Sequence, residues 1–302
     1  MTEPRRLPIW RSMLFVPVNV ERFVASAPKR GADAIILDLE DSILPADKER
    51  ARTLVPAAAQ QVARGGADVV VRVNRPWRLC LRDLEAVVSR EVRALLLPKA
   101  ESGEHVQLVS EVLDELEAER GLLRGHTQLV PMIETAAAFF RMREIAAAGS
   151  RVVGLTLGAE DFALSAGMLP EAEGLFYPTQ QIVLAARAAG VLPLGFIGTV
   201  ADYKDLDAFR ETVRRSRRLG FLGASVIHPS QVAILNAEFR PSPEDVQQAR
   251  KILVAFEEAA KAGRGSIEVD GKMVDIPVVD RARGVIERHD AIERRIKAGG
   301  AV

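Results

Sequence analysis

The sequence predicts an α/β protein built as a closed (β/α)₈ barrel, a TIM barrel, followed by a C-terminal helical extension, for which a family resemblance given below implies the role of a lid. Two observations carry this prediction. Short apolar segments alternate with single helical segments as far as residue 228, and most apolar segments end in polar or charged residues. Eight strands separated by single helices imply a parallel sheet with right-handed crossovers, and this number of units fits the closed barrel. The rival, an open doubly wound sheet, is disfavoured because no glycine-rich dinucleotide turn follows the first strand.

Each predicted strand is a run of apolar or β-branched residues. The second strand, in AIILDLEDSI, is apolar over its first half and is followed by acidic residues. The third strand, DVVVRV, is rich in valine. The seventh, in VLPLGFIGTV, is the weakest because it contains two glycines and a proline. The predicted strands are 13–16, 34–39, 68–73, 94–97, 129–133, 152–157, 191–197 and 224–227.

The predicted helices lie between these strands, and several are followed by glycine. Thr135 is predicted to be the N-cap of an alanine-rich helix, because its hydroxyl can accept from a backbone N–H of the first turn. The predicted helices are 21–29, 46–63, 79–90, 104–120, 135–147, 179–189 and 206–219.

The chain is predicted to consist of a barrel over residues 1–238 and a C-terminal segment over residues 239–302. The strand–helix alternation stops after His228. Helices are predicted at 244–261 and 281–296, and the glycine-bearing segment between them has no clear partner strand. Because this tail is short and polar, we expect it to pack on a barrel, either its own or that of a neighbouring subunit.

The composition excludes several classes of protein. Forty-one basic residues balance forty-one acidic ones, so no overall charge favours nucleic acid or an anionic membrane. The single Cys80 excludes an internal disulfide and argues for a reducing compartment, and four histidines without paired spacing disfavour a zinc site. The first residues lack the apolar core of a signal peptide, and no apolar run is long enough to span a membrane. We therefore expect a soluble cytoplasmic protein.

The residues at the predicted strand ends are rich in carboxylates. In a barrel, the carboxyl ends of the strands converge on one mouth, where catalytic residues lie. Carboxylates without a thiolate suit a hard divalent ion, magnesium before calcium. Glu134 and Asp161 follow consecutive strands and form the predicted ligand pair, while the planar guanidinium of Arg72 can hold a carboxylate or an enolate oxygen. The collected residues are Glu40, Asp41, Arg72, Asn74, Lys99, Glu134, Glu160, Asp161 and His228.

Each of these residues also fits an ordinary structural role. Glu134 can pair with a helix N-terminus, Lys99 can be a solvated lysine of the barrel rim, and His228 can be a turn residue. Glu40 and Asp41 can pair with nearby basic residues, and only one of the two can face inward unless the strand has already ended. Arg72 is different, because it ends a run of valines and would be costly to bury unpaired. The site prediction rests on the coincidence of the whole set.

An ordered set of motifs resembles the citrate lyase beta-subunit-like branch of the HpcH/HpaI aldolase superfamily, which includes malyl-CoA and citramalyl-CoA lyases. Each motif alone is weak, but together they cover nearly the whole chain in the expected order. They are RSMLFVP (11–17), GADAIILDLEDSI (31–43), VRVN (71–74), LPK (97–99), PMIETAAA (131–138), LGAED (157–161), IHPSQ (227–231) and GKMVDIP (271–277).

The resemblance implies a (β/α)₈ barrel that is trimeric or hexameric. It implies that Glu134 and Asp161 hold Mg²⁺ and that Arg72 contacts the substrate. It also implies that the tail of one subunit covers its neighbour's mouth and brings Asp275 as general acid/base.

The sequence departs from the family pattern in three places, which puts the substrate and its carrier in question. Val18 stands where the family has glycine in its VPG-N turn, and Gly223-Ala224-Ser225 replaces the frequent Gly-Lys before the IHP motif. The seventh strand lacks the usual aspartate near its end.

The expected activity is that of a Mg²⁺-dependent carbon–carbon lyase acting on a 3-hydroxy-acyl-CoA thioester of the citramalyl-CoA or malyl-CoA type. The products would be an acyl-CoA such as acetyl-CoA and a 2-keto acid such as pyruvate or glyoxylate. Three alternatives stay open: the citryl-acyl-carrier-protein lyase subunit of a citrate lyase complex, a malyl-CoA-type thioesterase, and a non-catalytic ligand-binding barrel.

Overall fold

A computed structural model describes residues 7–199, 204–261, 263 and 265–299. The chain divides into two compact units, the first ending at Phe239 and the second spanning Arg240–Gly299. The first unit contains eight strands in one parallel sheet. They are β1 (Ser12–Pro17), β2 (Ala34–Asp38), β3 (Asp68–Arg72), β4 (Val92–Leu97), β5 (Gln128–Ile133), β6 (Gly154–Leu157), β7 (Leu192–Leu194) and β8 (Ala224–Val226).

The sheet closes on itself. Its strand order runs from β7 back to β1 and then to β8. The remaining seam is joined by the backbone of Leu222, which donates to Pro193 O at 3.0 Å, and of Gly195, which donates to Gly223 O at 2.8 Å. A Cβ at Gly223 would lie 1.7 Å from the carbonyl oxygen of Trp10, so only glycine fits at this seam. The prediction of an α/β (β/α)₈ barrel is confirmed.

Side chains alternate between the barrel interior and the layer under the helices, as the two-residue period of a strand requires. On β2, Ala34 and Ile36 belong to the interior cluster, whereas Ile35 and Leu37 pack in the larger cluster outside the sheet. Interior positions of other strands, such as Val130, are likewise fully buried. This alternation determines which residues reach the mouth of the barrel.

Ten helices of the first unit surround or follow these strands within the described part of the chain. They are α1 (Glu21–Ser26), α2 (Lys48–Ala63), α3 (Trp77–Val87), α4 (Gly103–Glu119), α5 (Ala136–Phe139), α6 (Met142–Ala146), α7 (Ala159–Ala166), α8 (Ala172–Ala188), α9 (Leu206–Arg218) and α10 (Val232–Glu238). Thr135 caps α5 by accepting from the backbone N–H of Ala138 at 3.1 Å, as predicted.

Several predicted boundaries were wrong. The helix predicted at 135–147 is two short helices, α5 and α6, separated at Phe140 and Arg141. The seventh strand has three residues rather than seven, and α7 and α10 were not predicted. Helix α8 begins at Ala172 and continues through Pro178, whereas the prediction began the helix after that proline. Part of the altered segment after β7, residues 200–203, lies outside the described residues.

The second unit consists of α11 (Pro243–Lys261), the strands β9 (Ile267–Val269) and β10 (Lys272–Val274), and α12 (Ile276–Lys297). The two strands pair with each other in an antiparallel hairpin. The expectation that this segment lacks a partner strand was therefore wrong. Val269, Val274 and Val279 form the buried centre of a small apolar cluster.

No helix in the described part of the chain has both the length and the apolar character needed to cross a membrane.

Candidate active site

Arg72 and Asp38 form a buried ion pair at the carboxyl ends of β3 and β2. The two residues are register partners across the parallel strands, and Asp38 continues the interior-facing series of Ala34 and Ile36. Nε and Nη2 of Arg72 donate to the two carboxylate oxygens of Asp38 at 2.7 and 2.8 Å. The guanidinium also lies over the ring of Phe15, with its carbon 4.8 Å from the ring centroid. This arrangement fixes the guanidinium plane.

The remaining Nη1 of Arg72 is shared by Glu40 and Asp41. It lies 3.0 Å from Glu40 Oε2 and 3.1 Å from Asp41 Oδ2. Both acids reach the arginine because β2 ends at Asp38, so the expectation that they face opposite sides of a strand does not apply. Burial raises the pKa of Glu40 to about 8, against the opposing charge of Arg72. Burial would also raise the pKa of Asp38, but its hydrogen bonds to Arg72 hold that pKa below its usual value.

The turn that carries Glu40 and Asp41 is held by polar side chains beneath it. Lys48 Nζ donates to the carbonyl oxygens of Leu39 and Glu40 at 2.8 and 2.6 Å. Asn74 Nδ2 donates to Leu39 O at 3.0 Å and to Asp83 Oδ2 at 2.7 Å. Asn74 therefore links the turn after β2 to helix α3.

Glu134 follows β5 and continues the interior-facing series of Val130 and Met132. One carboxylate oxygen accepts from the backbone N–H of Lys99 at 2.6 Å. The other faces Gly158, where an added Cβ would lie 2.4 Å from it. Burial raises the pKa of Glu134 to about 7, the Lys99 N–H opposes this rise, and the negative charge of Asp161 adds to it.

Asp161 is in the first turn of α7, three residues after Gly158. Its Oδ1 lies 3.1 Å from the ammonium of Lys99. Lys99 thus contacts Glu134 through its backbone and Asp161 through its side chain. The structure brings the two predicted ligands to opposite ends of one lysine.

These side chains border a cavity of about 1130 Å³. Its lining includes six of the predicted site residues: Asp41, Arg72, Glu134, Glu160, Asp161 and His228. Glu40 and Lys99 are in contact with lining residues without belonging to the lining. His228 Nδ1 also accepts from the backbone N–H of Ser230 at 3.3 Å, so it has the turn role considered for it. Asp275 lies in the second unit, between β10 and α12.

The donor set fits magnesium. Magnesium usually takes one or two protein carboxylates and keeps water or substrate oxygens as its other ligands. Glu134 and Asp161 supply such a pair, and Gly158 leaves room for the Glu134 carboxylate.

Sequence reasoning missed three residues of this site: Asp38, Lys48 and Gly158. The alternation of Ala34, Ile36 and Asp38 was the available signal for the first, but the strand was predicted to continue through Leu39. For Gly158, the absence of a side chain beside Glu134 is evident only in three dimensions. We find no sequence signal for the contacts of Lys48 with two backbone carbonyls.

Comparison with known proteins agrees with this architecture. The family model described as HpcH/HpaI aldolase/citrate lyase matches residues 11–229. The chain is 34% identical to citrate lyase subunit beta of Leuconostoc mesenteroides subsp. cremoris, over 93% of each chain. It is 30% identical to mitochondrial citramalyl-CoA lyase of Homo sapiens, over 94% of this chain and 87% of that one.

One solved structure with a similar fold contains bound ligands. The crystal structure of CitE from Mycobacterium tuberculosis in complex with magnesium, acetoacetate and coenzyme A has a TM-score of 0.69 and 28% identity. The match covers 95% of this chain and 99% of that chain. The fold and site define a metal-compatible barrel of the aldolase type. The chain belongs to the HpcH/HpaI aldolase/citrate lyase family, and the relatives named above are lyases.

Proposed function

We propose that this protein is a magnesium-dependent carbon–carbon lyase acting on a 3-hydroxy-acyl-CoA thioester that carries a carboxylate on the hydroxyl-bearing carbon. Citramalyl-CoA and malyl-CoA are substrates of this type. The products are an acyl-CoA such as acetyl-CoA and a 2-keto acid such as pyruvate or glyoxylate. One observation carries the proposal: Glu134, Asp161 and Arg72 border the same cavity.

The acidic and basic residues of the site have different roles in this reaction. Glu134 and Asp161 would hold the metal, which would supply Lewis acidity to the reacting oxygen atoms of the substrate. Arg72 lines the same cavity as this pair, and its guanidinium stabilises the negative oxygen of the thioester enolate. The substrate reaches Nη1 of Arg72 by replacing Asp41, whose side chain is 61% exposed.

Asp275 carries out two proton transfers in the proposed reaction. Its carboxylate takes the proton from the substrate hydroxyl as the bond between the hydroxyl-bearing carbon and the thioester α-carbon breaks. The electron pair of that bond passes to the thioester, which becomes an enolate. Asp275 then returns the proton to the α-carbon, so no net proton is consumed. This role rests on the match of GKMVDIP to the family motif.

The same resemblance supports a homotrimer or hexamer in which residues 239–302 cover the site of a neighbouring subunit. We propose this assembly as the source of Asp275 at each mouth.

A product assay tests the activity. The purified chain is incubated with citramalyl-, malyl- and methylmalyl-CoA, with Mg²⁺ and with excess chelator, and the products are separated by mass spectrometry. The proposal expects keto acid and acyl-CoA in equal amounts, only with the metal. Free hydroxy acid and coenzyme A would identify a thioesterase, and no turnover of any substrate, citryl thioesters included, would favour a non-catalytic barrel.

A second candidate is the citryl-acyl-carrier-protein lyase subunit of a citrate lyase complex. The 34% identity to a citrate lyase beta subunit over 93% of the chain favours it. The two candidates differ in carrier and in partners. Efficient cleavage of free CoA thioesters by the isolated chain would contradict the second candidate, and cleavage of only the carrier-protein thioester would contradict the first.

A further inference from the structure

Lys99 has a backbone conformation that L-residues rarely adopt. Its φ is +47°, and among the described residues only Asp270 is another non-glycine residue with positive φ. Asp270 precedes Gly271 in the turn of the β9–β10 hairpin, where left-handed conformations are common. Lys99 instead follows strand β4 at the mouth of the barrel. Such a conformation persists only where the surrounding contacts hold it.

Three contacts hold Lys99, and two of them go to the proposed metal ligands. Its backbone N–H donates to Glu134 Oε2 at 2.6 Å. Its backbone carbonyl accepts from Arg75 Nε at 3.0 Å. Its ammonium lies 3.1 Å from Asp161 Oδ1. With this backbone conformation, the N–H of Lys99 contacts Glu134 and its ammonium contacts Asp161.

We infer that the Lys99 ammonium is a built-in counter-ion for the Glu134–Asp161 pair in the metal-free enzyme, which Mg²⁺ displaces when it binds. This inference rests on the proposed function, because it takes the two carboxylates as the metal ligands. A divalent ion on Asp161 would repel an ammonium a few ångströms away. The Lys99 side chain is 34% exposed, so its flexible stem can carry the charge towards solvent while the backbone bond to Glu134 stays.

The displacement makes Lys99 a determinant of metal affinity. Lys99→Met keeps the length of the side chain and the backbone N–H but removes the charge. A single charge near a divalent ion at an exposed site opposes binding by roughly a factor of ten. We therefore expect the Kd for Mg²⁺, measured by calorimetry without substrate, to fall about tenfold in Lys99→Met. It should change less than about twofold in Lys99→Arg, which keeps the charge. Unchanged or weaker binding in Lys99→Met overturns the inference.

A second measurement uses the unaltered protein, so it does not depend on the folding of a variant. Lysines are labelled by reductive methylation with and without saturating Mg²⁺, and the peptide carrying Lys99 is quantified by mass spectrometry. We expect the labelling rate of Lys99 to rise at least about threefold with Mg²⁺, because the amine leaves its ion pair. Lys251, which pairs with Asp270 in the second unit, is the control and should not change.

The outcomes separate this inference from the proposed function. If the protein binds no Mg²⁺, both fail. If it binds Mg²⁺ and loses that binding on Glu134→Ala, but Lys99 is labelled equally with and without the ion, only the counter-ion role is overturned.

Discussion

Replacing Arg72 with methionine should destabilise the barrel unit strongly, because it leaves buried carboxylates without their cation. Asp38 is 2% exposed and loses two charge-assisted hydrogen bonds, each contributing about 1.5–3 kcal/mol. It keeps the hydroxyl of Ser42 and the backbone N–H of Glu40 as donors, which limits the loss. Glu40 adds little, because its pKa of about 8 leaves it mostly protonated at neutral pH. We expect a loss of about 3–5 kcal/mol in the free energy of unfolding.

The loss should depend on pH in a defined direction. The pKa of Asp38 in the folded protein lies below its usual value, so its ion pair contributes stability above about pH 4 that fades as the pH falls. In the variant, burial without Arg72 favours the protonated form. The difference between the two proteins should therefore shrink as the pH is lowered from 7 towards 4.

Urea unfolding followed by tryptophan fluorescence measures this effect, because both tryptophans, Trp10 and Trp77, belong to the barrel unit. Arg82→Met is the matched control: it breaks an exposed pair with Glu49 at 3.2 Å and should lose less than about 1 kcal/mol. Adding Asp38→Asn to Arg72→Met should restore part of the stability. A loss in Arg72→Met no larger than in the control would refute the reasoning.

Three further predictions concern the metal and the proton donor. The pKa of Glu134 is raised to about 7, so below that pH Mg²⁺ must displace a proton from this carboxyl group. The affinity for Mg²⁺ should therefore fall about tenfold for each pH unit below 7 and level off above pH 7. Calorimetry in two buffers with different ionisation enthalpies should detect the released proton. Gly158→Ala places a Cβ 2.4 Å from the Glu134 carboxylate and should weaken Mg²⁺ binding at least about tenfold. The control Gly174→Ala, whose Cβ lies 3.5 Å from its nearest neighbour, should leave Mg²⁺ binding unchanged. Equal affinities of the two variants for Mg²⁺ would contradict the argument that Gly158 makes room for Glu134. Asp275→Asn should preserve metal and substrate binding while lowering kcat at least about a hundredfold; unimpaired turnover would remove its role as general acid/base.

Much of the barrel could be predicted from the sequence because its strands are uniform apolar runs. Residues 69–71 are all valine and lie between Asp68 and Arg72, and this β-branched run favours a strand over a helix. The seventh strand and the helices α7 and α10 were harder to predict from the sequence. The helix was predicted to begin after Pro178, yet it passes through this proline, and Leu175, Pro178 and Thr179 are buried.

The charged residues of the site could be predicted from the sequence, but most of the contacts between them could not. Strand ends identified Arg72, Glu134 and Asp161 as candidates, since buried strands that end in polar groups are unusual outside sites. Their partners depend on where β2 stops and on how Lys99 turns its backbone. A shift of one residue in a strand end reverses which side chain faces inward, and that uncertainty hid Asp38.

The central claim is that Glu134 and Asp161 share one divalent cation. Calorimetric titration of Mg²⁺ into the substrate-free protein tests it most directly, with Glu134→Ala, Asp161→Ala and the surface control Glu173→Ala compared with the unaltered chain. We predict one site per chain that is lost in both ligand variants and intact in the control. Unchanged affinity in either ligand variant would contradict the claim.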